Sequence, residues 1–156
     1  MTQVVFADSN VFIEALFIPS SAAFLVAELV AGEAFDMVTC DLVIQDVERA
    51  ILKKLKNHPD QLRTILGAWE TMRAKIRLSV LPDPSPSTVK AAFNRYIGVM
   101  KHKADIPVLA AAISMNPRPY AILSGNREHF NDEIAQRCGI YIGSCREFIE
   151  LIANSS

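Results

Sequence analysis

A chain of 156 residues with a formal net charge of -1 and 51% hydrophobic residues has room for one domain around one core, burying about two-thirds of its unfolded surface. The near-neutral balance and a pI of about 6.3 exclude the global basic field that nucleic-acid binders present, so any contact with a polyanion falls to local patches. Cys40, Cys138 and Cys145, an odd number without C-x-x-C spacing, argue against a disulfide framework and a zinc site, and the sequence shows neither a signal-type leader nor a membrane-spanning apolar run. The expectation is a soluble protein in a reducing cytoplasm, with no membrane association.

In chain order, Gln3 to Ala7 reads as a strand ending at Asp8, and Asn10 to Leu16 as a helix. An acid at a strand's C-terminal edge is either a helix cap or the first half of a site. SSAAFLVAELVAGEA predicts a helix capped by Ser20 or Ser21 and closing near Gly32, followed by the strand FDMVTC. Asp41 is the expected cap of LVIQDVERAILKKLKN, whose Val43, Val47, Ala50 and Ile51 share one face, and His58-Pro59-Asp60 is expected to stop it. The amphipathic stretch QLRTILGAWETMRAKI leads to a short strand, RLSVL. PDPSPST then predicts a loop ending in the cap Ser87. Beyond it come a helix from Thr88 to about Tyr96, a polar KHK turn, a helix from Asp105 through Met115, the strand PYAIL, a helix from Asp132 to Cys138, the strand IYIG and the helix REFIELIA. Strands alternating with helices predict a parallel sheet covered on both faces.

In such a sheet Asp8, Asp105 and the Ser124-Gly125-Asn126 turn all arrive at one edge, and Asp46 leans over it from its helix. Clustered carboxylates raise one another's pKa, so the arrangement makes sense when a cation neutralises it. Oxygen ligands without a Cys or His cluster suit Mg2+ or Mn2+. Each residue also has a plainer reading: Asp8 and Asp105 as caps, Asp46 as part of a solvated face, Ser124 and Asn126 as turn formers.

Four stretches together carry a family resemblance. VVFADSNVFIEAL resembles the opening D-x-N motif of PIN-domain nucleases, and DLVIQDVERAIL their S/P-x-x-x-x-E-x-x-R-x-L helix. KADIPVLAAAI resembles their D-x-x-x-x-A-A segment, and ILSGNREHF their T-x-D/N-x-x-x-F ending. The motifs appear in family order from Val4 to Phe130. The resemblance implies a single PIN-like domain over residues 1–156, with a three-layer α/β/α sandwich and a central, mostly parallel sheet. It further implies a metal-dependent ribonuclease, often the VapC-like toxin half of a toxin-antitoxin pair. Asp8, Asp46 and Asp105 would then be the metal ligands, Asn126 a further catalytic residue, and Asn10 and Ser124 supporting ones. Two departures stand out. The helix acid is Asp46, with Glu48 as the competitor, and Asn126 stands where many relatives carry Asp.

Of the basic clusters, Lys53/Lys54/Lys56 and Arg73/Lys75/Arg77 read as solvated helix faces. Lys101 and Lys103, just before Asp105, are candidates to hold an RNA backbone against an acidic site. Phe93, Tyr96 and Trp69 read as core, and His58, His102 and His129 as scattered surface residues, none of them a ligand. A homodimer through FLVAELV or TILGAWETM is a further expectation, as is an antitoxin protein. The competing function is a PIN-like interaction module without turnover. A receiver or an aspartyl phosphatase fits less well, because the first motif is D-x-N rather than D-x-D and no Lys follows the strand YAIL.

Overall fold

The computed structural model describes residues 2–126 and 128–155. Five strands, β1 (Val4–Ala7), β2 (Asp36–Cys40), β3 (Ser79–Leu81), β4 (Ala121–Leu123) and β5 (Tyr141–Gly143), form one sheet in the order β3-β2-β1-β4-β5. Every pairing is parallel, with Val5 opposite Met37 on one side and Ala121 on the other. Strands buried on both faces have to be apolar throughout, and Val5, Phe6, Ala7 and all of β4 are fully buried.

The helices are α1 (Ser9–Phe17), α2 (Ala22–Ala31), α3 (Asp41–Leu55), α4 (Pro59–Lys75), α5 (Pro86–Tyr96), α6 (Ile106–Ile113), α7 (Asp132–Cys138) and α8 (Cys145–Ser155), with a 3-10 turn over Lys103–Asp105. Right-handed crossovers place α1 to α4 on one face, since the chain there steps from β1 to β2 to β3, and α5 to α7 on the other, where it steps from β3 through β4 to β5. Packing of α1 against α2, α3 and α4, of α2 against α8, and of α5 against α6 fits that division. The direction of travel reverses between β1 and β4, and in open parallel sheets a crevice forms at such a reversal, outside the carboxyl ends of the strands. The two neighbouring strands end there in Asp8 and Ser124.

Local chemistry explains the boundaries. Ser21 caps α2 by accepting the Phe24 N–H, and Gly32 follows its last turn. Asp41 is the first residue of α3 rather than its cap; the cap position falls to Cys40, and Asp41 instead accepts a bond from Gln45 at 2.8 Å. Pro59 does not merely stop α3 but opens α4, where a missing N–H costs nothing. Ser85, not Ser87, caps α5, because Pro86 is pre-set for the first helical turn and the Ser85 hydroxyl then meets the Thr88 N–H. Gly139 closes α7 with φ of 71°, a left-handed value at which a side chain is strained. Phe12 and Trp69 meet edge to face at 5.3 Å, locking α1, the helix that follows Asp8, onto α4. Among the described residues no single helix is long and apolar enough to cross a membrane; α1 and α2 have the composition as a pair but meet at a 98° bend.

Candidate functional site

β1 delivers Asp8 to the crevice, and its neighbours hold it there. The Asp8 N–H donates to Leu123 O at 2.9 Å, extending the β1–β4 ladder by one residue, while the Thr39 hydroxyl ties β2 to Ala7 O at 2.8 Å. The Asp8 carboxylate accepts from the Ser9 N–H (2.8 Å) with one oxygen and from the Ser124 hydroxyl (3.1 Å) with the other. Asp8 is thus at once the N-cap of α1 and part of a polar cluster. It is 6% exposed, and burial raises its pKa above the ordinary 3.8; the bonds from Ser9 and Ser124 and the His129 charge offset this, whereas Asp105 adds to it.

The D-x-N motif and the turn after β4 interlock. Asn10 accepts the Gly125 N–H at 2.8 Å and reaches Ser124 Oγ with its amide nitrogen at 3.4 Å. Ser124 Oγ also accepts the Asn126 N–H at 3.2 Å. The Asn126 side-chain oxygen accepts the Glu128 N–H at 3.1 Å, which is the geometry of a turn former. That turn carries the chain on to His129, whose N–H bonds back to Asn126 O at 3.2 Å.

Asp105 occupies the N-cap position of α6 yet makes no side-chain cap bond. Its Oδ2 instead lies 2.7 Å from His129 Nδ1 in a geometry that makes no hydrogen bond, and this buried oxygen has no hydrogen-bond partner. Burial raises the Asp105 pKa; His129 and His102 offset part of the rise, and Asp46 adds to it. The two imidazoles lie 3.9 Å apart, centre to centre. His102 and His129 are therefore not scattered, as the sequence suggested, but come together beside Asp105. Their common signal was position alone: His102 lies three residues before Asp105 and His129 three after Asn126.

Asp46 lies on the exposed side of α3, paired with Arg49 at 2.9 Å, and its charge reaches Asp105. Glu48 is half-buried and is not among the charges acting on Asp105. The Asp105 charge raises the Asp8 pKa and the Asp46 charge that of Asp105, and carboxylates so placed, with a buried Asp105 oxygen that makes no hydrogen bond, are donors of the kind a hard divalent cation takes. Among the described residues no three His, Cys, Asp or Glu side chains converge closely enough to hold a metal ion by themselves, so the donor chemistry fits a cation while the spacing is open.

Several cations away from the site have local duties. Lys75 pairs with Glu28 at 2.7 Å and Arg77 with Glu33 at 2.8 Å, while Lys54 lies over Phe17 and Arg73 over Trp69. Lys101 and Lys103 are exposed, and Lys103 Nζ lies 6.0 Å from the centre of the Phe93 ring. Trp69 and Tyr96 are core residues as expected; Phe93 is half-buried at a surface groove.

No protein-family model matches the chain, nor does any curated protein sequence. Among solved structures it resembles VapBC2 from Rickettsia felis, crystallised bound to a DNA fragment from their promoter, with a TM-score of 0.64 at 12% identity over 90% of this chain and 97% of that one. It likewise resembles PAE2754 from Pyrobaculum aerophilum, with a TM-score of 0.62 at 13% identity over 98% of this chain and 99% of that one. At such identities the likeness is one of architecture, and it shows the chain to have the PIN-like fold that its four motifs led one to expect.

Proposed function

We propose that the protein is a metal-dependent ribonuclease. The observation that carries this reading is the pairing of Asp8 and Asp105 at the sheet reversal, each ionising against burial and Asp105 keeping an unsatisfied oxygen. Asp8 and Asp105, with Asp46 directly or through water, would hold one or two Mg2+ or Mn2+ ions. A bound ion of this kind supplies an activated water and neutralises the leaving oxygen of a phosphodiester. The Ser124 hydroxyl fixes the orientation of the Asp8 carboxylate, Asn10 braces Ser124, and the Asn126 turn brings His129 to Asp105. Lys101 and Lys103 would offset the repulsion between an acidic site and an RNA backbone.

RNA rather than DNA follows from the motif resemblance, as does the role of a VapC-like toxin; the likeness to VapBC2 supports the same reading. An antitoxin partner and a cytoplasmic setting belong to it. The exposed Phe24 and Leu25 of α2 are the residues on which a homodimer would rest. The open spacing of the acids and the use of the Asn126 oxygen within its own turn favour a second reading, a PIN-like interaction module without turnover. The test is incubation of purified protein with single-stranded and structured RNA in Mg2+ or Mn2+, with and without EDTA. Cleavage that EDTA abolishes and added metal restores supports the nuclease; no cleavage, together with no Mn2+-induced rise in melting temperature, supports the module.

A further inference from the structure

A groove of about 490 Å³ opens beside the acidic site. Its apolar wall is Leu42, Val89, Phe93 and three prolines, Pro84, Pro86 and Pro107, and its charged lining residues are Asp83 and Lys90. Three observations join it to the site. Pro107 is two residues beyond Asp105, Leu42 lies in the first turn of the helix that bears Asp46, and the Cys40 thiol, which burial lifts to about 11, feels the charges of both Asp83 and Asp8.

Prolines and a half-buried phenylalanine make a stiff apolar surface, while Lys90 and Lys103 bring positive charge to it, Lys103 lying over the Phe93 ring. That pairing of a ring face with ammonium groups suits an unpaired nucleotide, whose base stacks and whose phosphate needs a cation; a purely apolar protein segment has no use for the lysines. We propose that this groove holds an unpaired base of the RNA strand next to the scissile phosphate, stacked on Phe93 in place of the Lys103 ammonium, which leaves the ring for a flanking phosphate while Lys90 takes the other. Asp83 offers only acceptors, so it favours guanine, whose pairing edge alone places two N–H donors side by side, N1–H and N2–H, for a carboxylate to take. The inference rests on the ribonuclease reading but names a binding surface that can be tested without turnover.

The experiment is fluorescence anisotropy in EDTA with short labelled oligo(U), oligo(C), oligo(A) and a guanine-containing single strand, run on the full chain. Phe93→Leu keeps apolar volume and removes the π face, and should weaken RNA binding by about tenfold. Lys90→Gln, at an exposed position, should lower the slope of affinity against salt by about one. Asp83→Asn should reduce the preference for the guanine-containing strand over oligo(U), oligo(C) and oligo(A). Oligo(U) carrying 5-iodouridine should crosslink to the peptide containing Phe93. Melting curves show whether each variant is folded, and the crosslink needs no variant. No measurable RNA binding, unchanged affinity in folded Phe93→Leu, or crosslinks confined to other surfaces would overturn the proposal and leave the groove to a protein partner. Phe93-dependent binding without metal-dependent cleavage would sink the hydrolysis reading while leaving the groove standing; cleavage with Phe93-independent binding would do the reverse.

Discussion

Asp105 stands where a helix cap belongs and does not cap; its carboxylate turns to His129 and keeps one oxygen unsatisfied. This has a consequence for stability. Because burial raises the Asp105 and Asp8 pKa values above 3.8, the metal-free folded state holds these protons more tightly than the unfolded chain does. In the window between 3.8 and the raised values the native state therefore binds more protons, and stability falls as pH rises through it. Asp105→Asn should raise the melting temperature in EDTA at neutral pH by a few degrees, the size of shift expected for about 1 kcal/mol in a chain of this length. The gain should vanish in acid, where the wild-type carboxyl is already neutral; a variant that is less stable than wild type at neutral pH would contradict the assignment of Asp105 as a strained acid. On α3, Asp46→Asn should cost more Mn2+-dependent activity than Glu48→Gln, because of these two acids Asp46 is the one whose charge acts on Asp105. Initial rates of the two variants at fixed metal decide it.

Among the elements, the caps show where physical rules competed. Ser85 and Ser87 both follow a proline-rich stretch, and the structure gives the cap to Ser85 because Pro86 then takes the first helical position. Ser85→Ala should destabilise by about 1 kcal/mol and Ser87→Ala by clearly less, as read from denaturant melts. The same balance explains why most elements could be read from sequence while their ends could not. Apolar runs such as Val4 to Ala7 and the three-and-four spacing in α3 survive any small shift of register, but an end depends on which of two neighbouring side chains reaches an N–H. The loop from Ser124 to Phe130 shows a different limit. Asn126 was legible as a turn former, yet the outcome of the turn, His129 against Asp105, joins residues 24 positions apart through tertiary packing that no local pattern encodes. His129→Ala should weaken Mn2+ binding by roughly tenfold or more if the imidazole orients the Asp105 carboxylate as a supporting partner. Calorimetric titration of the folded variant checks this, and an unchanged affinity would make the pair incidental.

At the scale of the molecule, the strand order does the assembling. With β1 and β4 adjacent and the chain reversing direction between them, Asp8 and Ser124 come within hydrogen-bond distance although 116 residues separate them in sequence. The alternation of strands and helices predicted that both residues reach one edge, because parallel strands send all their C-terminal ends there, but the order that makes β1 and β4 neighbours is set by tertiary packing. What it left open was distance: the sequence cannot say whether Asp46, held by Arg49 on the exposed side of α3, stands close enough to share an ion with the other two acids. Whether Asp8 and Asp105 together hold a cation that activates water against RNA is decided by single-turnover RNA cleavage at saturating Mn2+ for wild type, Asp8→Asn and Asp105→Asn. A shared cation means a loss on the order of a hundredfold or more in each folded variant; wild-type rates in both would rule it out and leave Asp8 as the cap of α1.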